Sequence, residues 1–259
     1  MNEPAFEFVR ANEMFNIEGL ISLYNKFAHS PGGFSIQFPK GAKEIKADWD
    51  EAPADISPQK LSHFHWRRVN GKIFLLTGFH IMTKDLPNWF WADFEHVDYD
   101  TQDATLDPRI DPAMDRTTRN QFGSGAPDRG SVDGERRELS NTKWADYRLR
   151  GTQIAFVDAE GTPTRLGNTR IESGFVHYSS CMTCHARATV SAHTIGSGSD
   201  AHIVHLSPNS VHSDTQDITD DDDSDIGVPL PFLFSPDGQR TFAQTDFFWS
   251  ASFRAAHKK

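Results

Sequence analysis

A chain of 259 residues and 29.1 kDa, 37% hydrophobic with 20 Phe and 6 Trp, can bury a sizeable aromatic core. Its formal net charge of −10 argues against nucleic acid or an anionic membrane surface as a partner, and would suit a basic docking protein. No apolar run approaches the length that spans a bilayer, so no membrane span is expected.

The opening residues, Met1 to Phe6, lack the basic start and apolar stretch of a signal peptide. The first predicted element is a helix from about Asn16 to Ala28. Ile17, Leu20, Ile21, Tyr24, Phe27 and Ala28 share one face, Asn16 caps the start, and Ser30-Pro31-Gly32-Gly33 ends it. A β-rich region follows. Asn70-Gly71 between two strand-like runs is a strong hairpin signal, and its second arm, Ile73 to Met82, reads as a central strand. Trp89 to His96 alternates large and polar groups like a further strand with one buried face.

From about residue 98 to 141, Asp, Arg, Gly and Pro dominate and the pattern reads as a long loop. Strand signals return at Gln153 to Val157, with a turn at Asp158 to Gly161. A second long loop is expected at about 195–227, and Phe242 to Phe253 is predicted to be a helix. These elements describe an α+β fold over 1–259 as a single domain. It has an antiparallel β-sheet core, an N-terminal helix, a helix after the sheet and a C-terminal helix.

The helix after the sheet carries the chemistry. Cys181-Met182-Thr183-Cys184-His185 holds both cysteines of the chain and spells the attachment signature of a c-type haem. Two thiols at this spacing can add across the two vinyl groups of one porphyrin, and the following histidine is then held under the iron as proximal ligand. One covalent haem c is therefore the expected cofactor, bound by Cys181, Cys184 and His185. Haem attachment takes place outside the cytoplasm in bacteria, so a periplasmic or extracellular location is expected, with any export signal already removed.

Two other chemistries use similar residues. Gly174 to Tyr178 as a strand and Met182 to Val190 as a helix would describe a thioredoxin-like thiol–disulfide oxidoreductase using Cys181 and Cys184 without haem. The βαβ alternation that surrounds such a site is missing, however. A structural zinc would need a fourth ligand beyond Cys181, Cys184 and His185.

The sixth iron position decides the activity. A methionine or histidine there makes an electron carrier working with a redox partner protein, whereas an open site permits binding or oxidation of a small molecule such as a nitrogen oxide. The chain's size favours the second. Met82 and His80 lead the candidates for a distal ligand, beside Met114, His96 and His177. Further candidates are the His63/His65 pair at strand spacing for a metal, Glu95 or His96 as acid–base groups, and Arg187 as a propionate partner. The Asp220 to Asp223 run reads better as a solvated turn than as a calcium site.

Phe38-Pro39-Lys40-Gly41 with Lys43, Lys46 and Trp49, and Met82-Thr83-Lys84-Asp85 followed by Trp91 and Phe94, resemble segments of the cytochrome P460 and cytochrome c′-beta group. The haem motif also comes late in that group. The resemblance covers about 15–95 and 150–190, and implies a β-sheet haem protein, often a homodimer, with proximal His185 and an open distal side. Lys43 and Lys46 are the residues available for the lysine–porphyrin cross-link of P460 proteins, and neither is matched. The 98–141 insertion and the segment after the motif have no counterpart there.

Overall fold

The computed structural model describes residues 1–30, 35–100, 139, 141–161, 163–172, 179–192, 194–195, 202–203 and 242–257. The hairpin signal is realised as written. Asn70 and Gly71 take φ of 49° and 81°, the left-handed pair that a two-residue hairpin needs. They join β2 (Trp66–Val69) to the central strand β3 (Lys72–Thr83). One edge of β3 pairs with β1 (Lys43–Glu51); the other pairs with β2 and then with β4 (Phe90–His96), which pairs in turn with β5 (Tyr147–Gln153). Every pairing in this sheet is antiparallel, so the α+β class is borne out.

Register decides which side chains share a face. Glu44 lies opposite Met82 and Lys46 opposite His80, while Met82 and His80 in turn face Trp91 and Asp93 across β4. Because alternate residues point the same way, these six share one face. Ile45, 59% exposed, lies on the other.

Helices cover the first face. The predicted helix forms as α2 (Ile17–His29), with the Asn16 side chain accepting from Gly19 N at 2.7 Å. A preceding helix, α1 (Glu3–Ala11), escaped sequence reading: it buries only Ala5 and Val9, too few positions to show a period. A short α3 (Pro58–Ser62) precedes β2, and α4 (Val97–Asp100) follows β4. The motif helix α5 (Cys181–Ala186) and the C-terminal α6 (Trp249–Arg254) complete the layer. Leu20, Leu23, Met82, Trp89, Trp91, Met182 and Phe248 form one apolar core between these helices and the sheet.

Three boundaries differ from expectation. The last sheet strand is Tyr147–Gln153 rather than Gln153 to Val157; Ile154 is 55% exposed, so that apolar run misled. Helix α5 stops at Ala186 instead of running to Val190, because Thr189–Val190 (β6) pairs with Ala243–Gln244 (β9). For the same reason the predicted Phe242 to Phe253 helix is reduced to its second half, after a turn with positive φ at Asp246 and Phe247. A further short pair, β7 (Thr194–Ile195) with β8 (His202–Ile203), lies in the second excursion. Most of both predicted loops lies outside the described residues. Among the described residues no helix is long and apolar enough to cross a membrane.

Gly19 marks a close approach. A Cβ added there would sit 2.2 Å from the carbonyl oxygen of Glu13, so the loop before α2 could not keep its path. Helix propensity alone would make Gly19→Ala stabilising by about 1 kcal/mol; we expect it instead to destabilise by about 1–3 kcal/mol. Urea unfolding of the variant decides, and a raised midpoint would contradict the packing.

Candidate functional site

Helix α5 has only six residues, too short to persist without outside support. Its N-terminal donors are taken up by neighbours. Leu166 O accepts from Cys181 N at 3.1 Å, Gln153 Oε1 from Met182 N at 3.0 Å, and Ser180 Oγ from Thr183 N at 3.3 Å. Gln153 also donates to Ser180 Oγ at 2.8 Å, tying the end of β5 to the cap. At the other end Trp249 Nε1 donates to Cys184 O at 3.2 Å and Gln244 Nε2 to Ala186 O at 2.6 Å.

His185 is fixed by the same C-terminal segment. Its Nδ1 lies 2.8 Å from Phe247 O. A carbonyl only accepts, so Nδ1 carries the hydrogen and Nε2 keeps its lone pair. Burial pushes His185 down to about 4, so the ring is neutral at pH 7 and able to act as a ligand. The Trp91 ring packs 4.7 Å from it, centroid to centroid.

Cys181, Cys184 and His185 all open onto a cavity of about 610 Å³, within the usual range for a cofactor or small-molecule site. The sheet contributes Glu44, Lys46, His80, Met82 and Trp91 to its wall, and α6 contributes Trp249, Ser250 and Arg254. Both thiols are free. Burial, then the nearby Glu172 carboxylate, pushes Cys184 up to about 12, and burial also raises Cys181. A redox-active pair needs the opposite shift.

His80 and Met82 therefore sit on the cavity wall with the motif. His80 is engaged there by carboxylates, its Nε2 lying 3.2 Å from Glu172 Oε2 and 3.3 Å from Asp93 Oδ1, and it also contacts the Cys181 side chain. Burial opposes its charge, but Asp93 and Glu172 outweigh it and raise His80 well above its ordinary value. Asn168 Nδ2 supports Asp93 at 2.8 Å, and Asn168 N donates to Glu172 at 2.7 Å.

Other candidates separate. Glu95 is buried on the Asp93 side, where Thr169 N and Oγ1 donate to it and Arg150 lies 3.3 Å away; burial pushes it up to about 7, but it is not part of the cavity wall. His96 stacks on Phe64 at 3.6 Å on the opposite face and accepts from Asp98 N, a structural role. His63 and His65 do not form a strand pair, since β2 begins at Trp66. His63 Nδ1 contacts Asp146 at 3.0 Å and His65 packs on Trp144. Arg187 is buried and does not line the cavity, and of the two lysines only Lys46 does. Met114, His177, the Gly174 to Tyr178 strand and Asp220 to Asp223 lie outside the described residues. Among the described residues no cluster of three or more His, Cys, Asp or Glu is arranged to hold a metal ion, so the zinc reading has no fourth ligand there.

Sequence reading missed Glu44, Glu172, Trp249, Arg254 and the Phe247 carbonyl. Glu44 and Lys46 share the spacing of His80 and Met82, but only the β1–β3 register reveals that they face each other.

The His80 cluster has a pH consequence. A histidine raised in the folded state contributes stability that is fully present below its unfolded pKa, near 6.5, and lost as pH rises through the higher folded value. Wild type should therefore lose urea resistance relative to His80→Gln as pH climbs from 6.5 into the alkaline range. Parallel profiles for the two proteins would refute the ion-paired imidazolium.

No protein-family model, curated protein or solved structure matches this chain, so the likeness to the P460 and c′-beta group rests on the sequence segments alone.

Proposed function

We propose that this chain is an exported c-type haem protein that binds or oxidises a small molecule at the iron's open sixth position. Cys181 and Cys184 would hold the haem through thioethers, and His185 Nε2 would ligate the iron. The observation that carries this reading is the neutral His185, with Nδ1–H given to Phe247 O and Nε2 left free, on the same helix as both thiols at the edge of a 610 Å³ cavity. When bound, the haem supplies an iron that takes up a ligand and exchanges electrons.

The chain's own groups would do the rest. Trp91 and Trp249 give the cavity apolar walls, which restrict water. Lys46 and Arg254 are suited to the haem's propionates or to an anionic ligand. Glu44, pushed up by burial and hydrogen-bonded by Ser250, can carry a proton at the cavity wall. His80 is engaged by two carboxylates, which favours a role as fixed cation over iron ligand. Met82 remains as the one described side chain of the predicted pair with a free ligand atom. The thiol–disulfide reading has the raised thiols and the all-antiparallel sheet against it.

Protein made with the haem-attachment machinery should be pigmented, and Cys181→Ser with Cys184→Ser should lose all covalently held pigment. Covalent haem in the double variant would overturn the assignment. The iron should be five-coordinate and high-spin, with Met82→Leu leaving that spectrum unchanged and costing less than about 1.5 kcal/mol of stability. A low-spin wild type that turns high-spin in Met82→Leu would make the protein a methionine-ligated electron carrier instead.

A further inference from the structure

The group that orients His185 belongs to an unusual turn. Phe247, whose carbonyl receives the His185 Nδ1–H, has φ of 69°, and Asp246 before it has φ of 53°. Two consecutive non-glycine residues in the left-handed region are strained, and persist only where surrounding contacts dictate the backbone. Thr245 spans the turn, its Oγ1 donating to Phe248 O at 2.9 Å and its N to Ala188 O at 2.8 Å, and the Asp246 side chain, 3% exposed, ties the turn to the sheet side. Lys84 Nζ donates to Asp246 Oδ1 at 2.6 Å, and Phe38 N to its Oδ2 at 2.7 Å. Lys84 is itself buried and held by Pro87 O at 2.6 Å. The lysine follows β3, while the aspartate lies 162 positions later in the chain.

We infer that the buried Lys84–Asp246 ion pair is a positioning device for His185: it holds the strained Asp246–Phe247 turn, so that the Phe247 carbonyl fixes the ring's tautomer and orientation. On the haem reading of the site, this pair sets how strongly His185 donates to iron. A histidine whose Nδ1–H is given to a carbonyl is a more basic ligand. Charge pairing between two parts of the chain far apart in sequence is thereby converted into the electronic character of one ring nitrogen. The device joins the end of β3 to the segment after the motif.

The test begins on the full chain made without haem and labelled with nitrogen-15 at histidine, so it does not depend on the haem reading. Wild type should show His185 as a single tautomer, protonated at Nδ1. Lys84→Met and Asp246→Asn should each turn it into a mixture. Arg150→Met, which removes a buried ion pair at Glu95 away from the turn, should leave the His185 signals unchanged. Lys84→Met carries the test alone if Asp246→Asn does not fold. In pigmented protein, the same two variants should keep covalent haem yet show a higher reduction potential than wild type and Arg150→Met. A single wild-type tautomer retained in both turn variants would overturn the inference, as would an equal change in Arg150→Met. A wild type that takes up no haem would defeat the proposed function while leaving the tautomer result to stand on its own.

Discussion

The site depends on satisfying the backbone groups at both ends of a six-residue helix. Unsupported, Cys181–Ala186 would not hold three chemistry-bearing side chains in one arrangement. Support comes from β5 and the Leu166 segment at its start, and from the Gln244 to Trp249 segment at its end. These pieces are remote in sequence, so the helix forms only as the fold closes around it. The same closure leaves His185 neutral and fixed, because the carbonyl that accepts its Nδ1–H comes with the clamp.

Buried charge is the second constraint. His80 and Asp93 beside the cavity, and Lys84 with Asp246 in the turn that holds the Phe247 carbonyl, are buried, while Glu172 is half-buried at the cavity wall. Isolated charges in such places are costly, and each is matched by an opposite charge or by amide donors. Breaking one partner is therefore more damaging than the pair's net worth, and buried groups of this kind specify one arrangement of the polypeptide around the cavity.

Much of this was legible in the sequence for physical reasons. Asn70-Gly71 permits few conformations, Asn16 caps a helix with a clear period, and both thiols with the histidine stand in five consecutive residues. What was illegible depends on tertiary register. The alternation of Glu44 and Lys46 says nothing until β1 is set against β3. The apolar run at Ile154 to Val157 pointed to a strand, yet the sheet takes the more polar Tyr147 to Gln153, whose Tyr147 hydroxyl donates to Leu76 O at 2.9 Å. The Phe247 carbonyl could not be found from residue type at all, since a backbone group carries no sequence signal.

The proposed function requires Cys181 and Cys184 to form thioether bonds to one haem. The intact mass of the full chain, made with the haem-attachment machinery and extracted with acid and acetone, decides whether they do. A mass increased by one haem, located on the peptide that contains residues 181–185, is the expected result. A chain that emerges colourless at its unmodified mass, with both thiols still titratable, would contradict it.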